Sequence, residues 1–381
     1  MRNNRIVKSL ASLRLTVVCL ICGMVLVFVG TIAQVDMGIY AAQAKYFRSL
    51  FIFWQIPGTG VRIPILPGGY LVGGLLVLNL ICAHTVRFGL RKDKLGLLMV
   101  HSGLILLLLG QLATDLLSVE SLMRLSEGQP KSHSEDQRLC ELAIMETSQP
   151  DHNQVVAISE SYLARNPEIR VAELPFTIKV RQYLANSTNI PPIMAKGPSM
   201  ATKGLGERLQ FAAAPIETRM EHRNMPTAYL EFVGAEGSLG VWAVSLWFNP
   251  VQSLTVAGKT YEFALRPERY YRPFSLELEK FSHDKYLGTD IPKNFSSDVR
   301  VLNPATGENR KVRIYMNNPL RYAGETFYQS GFDERDPRVT ILQVVRNPGW
   351  LTPYFSCILV GLGLVLQFLT HLLGFLKKKA S

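Results

Sequence analysis

Cysteine is nearly missing from the polar half of this chain. Of five cysteines, Cys19, Cys22, Cys82 and Cys357 lie in apolar stretches, which leaves Cys140 alone in the polar block 118–348. No disulfide can form inside that block, so a hydrophobic core must hold it together. Cys19 and Cys22 form a C-x-x-C pair, but in an uncharged helix they pack as small apolar residues, with nothing electropositive nearby to favour a thiolate. Net charge is missing from the block as well: 27 Lys and Arg face 27 Asp and Glu. The +11 of the whole chain therefore lies elsewhere, and a basic pI does not point to nucleic acid as a partner. There is no H-E-x-x-H and no paired Cys/His spacing, and Gly204-Leu-Gly-Glu is too short for a phosphate loop. His133, His152, His222 and His283 are scattered and read as surface or loop residues. No repeat or low-complexity tract occurs. No complete catalytic site is evident, and the sequence leaves open whether the chain is an enzyme.

What is present is four uncharged apolar stretches: 15–33, 69–86, 95–113 and Trp350–Leu376. Each reaches the ~18–20 residues that cross ~30 Å of hydrocarbon as a helix. Basic clusters orient them. Arg2, Arg5, Lys8 and Arg14 precede the first span; Arg87, Arg91, Lys92 and Lys94, against Asp93, join the second to the third; Lys377, Lys378 and Lys379 end the chain. All three clusters fall on one side, which the positive-inside rule makes the cytoplasm. Expected is a multi-pass protein of the cell inner membrane, both termini cytoplasmic and the large block outside. A cleaved signal peptide is the other reading of the N-terminus, but nineteen apolar residues exceed the ~7–15 of a usual signal core. The division expected is 1–117 for three transmembrane helices, 118–348 for an extracytoplasmic domain, and 349–381 for a fourth helix with a basic tail.

The block reads as mainly β. Phe176-Thr-Ile-Lys-Val-Arg and Phe274-Ser-Leu-Glu-Leu-Glu alternate apolar and polar residues, the period of a half-buried strand. Val299-Arg-Val-Leu and Lys311-Val-Arg-Ile-Tyr flank the turn cluster Asn303-Pro-Ala-Thr-Gly-Glu and read as a hairpin. Val339–Val345 is a last strand leading to the fourth span. Ala185–Pro226 has no clear period and is expected to be a long loop or flap. The fold class expected is thus four transmembrane helices, arranged 3+1, with a large β-rich domain inserted between the third and fourth.

The chemistry, if any, sits in the membrane. His84, His101 and His371 all fall toward the cytoplasmic side of the spans, where histidine is costly without a partner. His101 lies seven residues past Lys94, about 10 Å along a helix. His371 lies six before Lys377, at a similar depth, whereas His84 is three from Arg87 and reads as an interfacial residue reaching the headgroups. Gly96, Gly103 and Gly110 make a smooth heptad stripe for close helix packing, and His101 points away from it. Gly363, Gln367, Thr370, His371 and Gly374 share one face of the fourth span, so His371 reads equally as a helix-packing partner of Gln367 and as a ligand. Neutral imidazole in an apolar shell suits haem iron.

Two longer runs carry a resemblance. Lys285-Tyr-Leu-Gly-Thr-Asp-Ile-Pro-Lys-Asn-Phe-Ser-Ser-Asp-Val-Arg-Val and Ile314-Tyr-Met-Asn-Asn-Pro-Leu-Arg-Tyr-Ala-Gly-Glu-Thr-Phe-Tyr-Gln-Ser-Gly-Phe resemble the external domain of ResB/CcsB-type cytochrome c biogenesis proteins of system II. Val100-His-Ser-Gly-Leu-Ile-Leu-Leu-Leu-Leu-Gly is similar to that family's third span. The resemblance implies cytochrome complex assembly with a CcsA-type membrane partner: haem moves to the outer face and is joined to apocytochrome c. It implies that His101 ligates haem, with His371 and His84 as further candidates, the second axial ligand coming from the partner. The four tryptophans, Trp54, Trp242, Trp247 and Trp350, form no cluster, so the family's tryptophan-rich haem-handling segment belongs to the partner. The alternative is a non-catalytic scaffold that binds the partner and apocytochrome while its histidines only pack helices. A receptor or channel is disfavoured by short inner links and apolar spans.

Overall fold

The computed structural model describes residues 5–88, 94–148, 154–191, 197–219, 222–285, 288, 292–333 and 335–380. Arg2, Arg91, Lys92, Asp93, His152 and part of the run that begins at Lys285 lie outside the described residues. The chain forms two compact units, one made of Met1–Val119, Thr218–Met220 and Arg346–Ser381, the other of Glu120–Glu217 and Glu221–Val345.

The first unit contains helices Leu13–Met37, Gly69–Ala83, Leu95–Leu117 and Thr352–Ala380. All four are long and apolar enough to cross a membrane, the second by continuing through Val86. The first starts at Ser12, whose hydroxyl accepts from the Leu15 N–H at 3.2 Å, satisfying a donor that the helix leaves open. It is tied to the second helix by Asn79, which is only 2% exposed. The Asn79 amide donates to the Leu10 and Ser12 carbonyls at 2.6 and 3.1 Å, and its oxygen accepts from the Thr16 hydroxyl at 2.7 Å. Every polar atom of that buried side chain is thereby satisfied.

The third and last helices pack through the glycine stripe. A Cβ on Gly96 would lie 2.7 Å from the Gln367 nitrogen and the Gly363 oxygen; on Gly103, 2.6 Å from Val360 Cγ2; on Gly110, 2.2 Å from Thr352 Cγ2. All three glycines are buried. Only hydrogen fits, which is how small residues let helix backbones meet in lipid.

Between the first two spans the chain forms the antiparallel hairpin Phe51–Gln55 and Arg62–Pro67, absent from the sequence-based reading. Gly58 and Gly60 carry its tip at φ of +78° and +67°. Both strands are apolar on both faces, so no period-2 pattern marks them.

The second unit is organised on two long antiparallel strands, Pro130–Glu146 and Lys259–Lys285, paired from Tyr261↔Glu146 to Glu277↔Pro130 with two bulges. Beyond Lys259–Lys285 lie Pro292–Asn303 and Glu308–Tyr315. Beyond Pro130–Glu146 lie Val119–Ser126, then Val339–Arg346, Glu325–Phe332 and Leu320–Tyr322. A second sheet holds Gly237–Ser245, Thr227–Gly234, Thr177–Leu184 and Glu168–Ile169. The hairpin around Asn303–Glu308 pairs Val299 with Val312 and Val301 with Arg310, as the turn residues predict. The supposed loop Ala185–Pro226 differs: among its described residues it contains a second hairpin, Ser187–Ile190 with Gln210–Ala213. Its four-residue strands are too short to show a period.

Two cores follow from the two halves of the long strands. Leu142, Ile144, Phe263 and Leu265 bury against Ile178, Leu230, Phe232 and Val244 of the second sheet, with Phe232 and Phe263 edge-to-face at 4.9 Å. Leu276 and Leu278 bury with Met123, Leu125, Val299, Val301, Phe327 and Leu342.

Candidate functional site

The second helix does not end cleanly at Ala83. It continues as the wider π-type turn His84–Phe88, which rotates the last side chains relative to a regular α-helix. That turn presents the His84 ring to the third helix. His84 Nε2 lies 2.9 Å from His101 Nδ1, and the two rings meet edge-on with centroids 4.9 Å apart. Reading His84 as a headgroup-facing residue therefore needs correcting, because its ring is engaged by His101. Distance from Arg87 set its depth but said nothing of its azimuth. Both rings are half-buried.

One ring of the pair donates and the other accepts. The contact orients the His101 ring, and where Nδ1 carries the proton it leaves Nε2 as the acceptor, the arrangement that an outer partner gives a ligating histidine. His371 is placed differently: its Nε2 bonds the Gln367 side-chain nitrogen at 2.7 Å, one turn back on its own helix. The structure thus joins two of the three membrane histidines and gives the third a partner within its helix.

Among the described residues no three His, Cys, Asp or Glu side chains converge. A bare metal ion would find too few donors beside the histidine pair. Haem brings four equatorial nitrogens of its own and needs only axial imidazole, so one or two histidines in an apolar shell fit it.

At the other end of the same helices is a polar group that the sequence reading counted only as charge. Arg48 Nε meets Asp115 Oδ1 at 2.6 Å, and the Tyr70 hydroxyl donates to the other oxygen of that carboxylate. Part of the signal was available in one acid closing the third span, although Arg48 and Arg62 both stand in the link after the first and the sequence does not choose between them.

In the β-rich unit, burial pushes the Cys140 thiol up to about 12, with Arg223 opposing. That thiol stays protonated at neutral pH and is a poor nucleophile. Glu135 is held well below the usual carboxylate range, at about 2, by the neighbouring His133 imidazole and then by Lys131 and Arg269, against burial. Among the described residues these groups do not converge into a nucleophile–base–acid set.

Four helices apolar enough to cross a membrane suggest a membrane protein that also carries a sheet-rich unit, and two of those helices bring their imidazoles together at one end. Comparison with known proteins narrows the class. Residues 252–341 match the ResB-like family, a range that holds Leu276, Leu278, Val299, Val301 and Phe327 of the second core. Over 140 residues the chain is 31% identical to Protein NrfI of Wolinella succinogenes, a match spanning 35% of this chain and 14% of that protein. Both comparisons support the ResB/CcsB-type resemblance.

Proposed function

We propose that this chain is the haem-handling subunit of a membrane cytochrome c synthase, moving or presenting haem for attachment to apocytochrome c outside the cytoplasmic membrane. The observation that carries the reading is the 2.9 Å contact between His101 Nδ1 and His84 Nε2. It engages Nδ1 of His101, and in this reading that nitrogen donates its proton to His84 Nε2, Nε2 of His101 coordinates the iron, and His84 is the positioning residue. The second axial ligand comes from a CcsA-type partner, and the β-rich domain receives the apocytochrome. In this reading the helices are arranged 3+1, with the basic clusters and both termini in the cytoplasm.

The test is the haem absorption spectrum of the complex carrying His101→Ala. Expected are reduced haem content, impaired cytochrome c maturation, and partial rescue of both by added imidazole, which can fill the vacated coordination position. His84→Ala should retain more haem than His101→Ala but shift its spectrum, because the ligand loses its orienting bond. The scaffold reading is favoured by the same contact, since a histidine–histidine hydrogen bond also packs two helices in lipid. It predicts lowered helix-bundle stability, unchanged haem per folded protein, and no imidazole rescue.

A further inference from the structure

A cavity of about 730 Å³ lies in the helical unit at the end opposite the histidine pair. Tyr70 is 14 residues before His84 and Asp115 is 14 after His101, so both helices place this end about 21 Å from the imidazoles. Its walls come from the first three spans and the link between the first two. Gly30, Gly69, Gly73 and Gly74 line it with Val77, Leu78, Leu108, Leu109 and Leu112, a long and mostly hydrocarbon surface. Gly73 and Gly74 have nothing within 4 Å of a would-be Cβ, so their small size is not used for helix packing. What it provides is room.

The polar part of the lining is specific. Among the described residues Arg48 and Asp115 are its only charged members and are paired at 2.6 Å, so the lining is formally neutral. Gln34, Gln43 and Gln111, one from each of three segments, also line it. Gln34 and Gln111 are exposed and Gln43 is half-buried, so the three amides offer donors and acceptors together at the open side of the cavity. A carboxylate or phosphate would add unbalanced charge beside Asp115, whose one cationic neighbour on the lining, Arg48, is already paired with it. A neutral head with carbonyl or hydroxyl oxygens would not.

We propose that this cavity binds a neutral amphiphile, its hydrogen-bonding head among Gln34, Gln43, Gln111 and the Arg48–Asp115–Tyr70 group and its hydrocarbon tail along the Gly73–Gly74 wall. An isoprenoid-type quinone and a neutral glycerolipid share that chemistry. The volume falls in the 300–1,000 Å³ typical of small-molecule sites. The proposal goes beyond haem handling and is independent of the histidine pair.

The test uses the full chain in nanodiscs and three probes: decylubiquinone, monooleoylglycerol and oleate, with affinity read by native mass spectrometry and thermal shift. Decylubiquinone or monooleoylglycerol should bind, whichever is tighter naming the source, and oleate should bind at least 10-fold more weakly. Gly74→Leu puts a side chain into the cavity from a position where a Cβ meets nothing within 4 Å, and Gln111→Leu removes one head partner while keeping an apolar helix; each should weaken the neutral probe at least 10-fold. His101→Ala should leave that binding unchanged. The proposal is overturned if oleate binds as tightly as the neutral probes, if none of the three binds, or if both cavity variants bind like the parent chain. Protection of the cavity by a partner helix in the purified complex, with no small molecule bound, would overturn it too.

Discussion

Replacing Gly96 by alanine adds one methyl where the third and last helices touch. The nearest atoms are backbone, Gln367 N and Gly363 O, both 2.7 Å from the new Cβ. Ordinary contact begins near 3.4 Å, so the shortfall is 3.4 − 2.7, or 0.7 Å, and neither atom can swing away as a side-chain tip could. The two helices must part by roughly that distance along their seam. Overpacking of this kind costs about 1–3 kcal/mol, which lowers the folded-to-unfolded ratio by a factor of about 5 to 150. Gly361→Ala on the last helix is the control, with nothing within 4 Å of its Cβ. There the methyl meets no resistance and gains up to ~1 kcal/mol of helix propensity. Reversible unfolding of the full chain in mixed micelles, titrated with SDS and followed by circular dichroism, should shift Gly96→Ala to lower SDS and leave Gly361→Ala at or above the parent. Equal midpoints for the two variants would refute the close-packed glycine seam.

Three further outcomes follow from the other parts of the molecule, beside the haem test above. Glu135 has a folded-state value near 2 against a usual 4.5, so it stabilises the fold above pH 4.5 and that contribution is lost as pH falls from 4.5 toward 2; Glu135→Gln should flatten the acid side of the melting profile, and an unchanged profile would count against the ion cluster. Cys140 is fully buried and its thiol stays protonated, so iodoacetamide should label it only after denaturation, and the melting temperature of the β-rich unit should ignore reductant; fast labelling of native protein would contradict the buried placement. Reporter fusions should put Gln137 outside and the C-terminus in the cytoplasm, and an external C-terminus would overturn the orientation.

The four long apolar helices were legible because length and missing charge suffice to identify them, yet their ends were not. Two run further than 15–33 and 95–113, to Met37 and Leu117, because Asp36 and Asp115 end the hydropathy signal before the helix ends. The hairpin around Asn303–Glu308 was legible from its turn cluster, whereas Ser187–Ile190 is short and polar and carries no pattern. The glycine stripe could be read from its heptad spacing alone. The His84–His101 contact could not, since it depends on how two helices are rotated about their axes and on a π-type turn that spacing does not reveal. The Arg48–Asp115–Tyr70 group joins residues far apart in the chain, and only folding brings them together.

The strand Pro130–Glu146 has a consequence for how the protein is made. Its main partner begins at Lys259, so 259 − 146, or 113, further positions must be synthesised before that ladder can start to close. At ~5–20 residues per second the wait is about 6–23 s. Gln154–Ser159 arrives early but covers only Glu141–Glu146. The Pro130–Glu146 stretch meanwhile has, along the edge that Lys259–Lys285 later covers, an open row of backbone donors and acceptors with which another chain could pair, while Val119–Ser126 is already present for its other edge. Lys131, Glu135, Asp136 and Arg138 stand in that stretch, and charge on a waiting edge discourages such pairing. The order of strands along the chain thus makes the newborn protein most vulnerable to aggregation before its ResB-like segment exists.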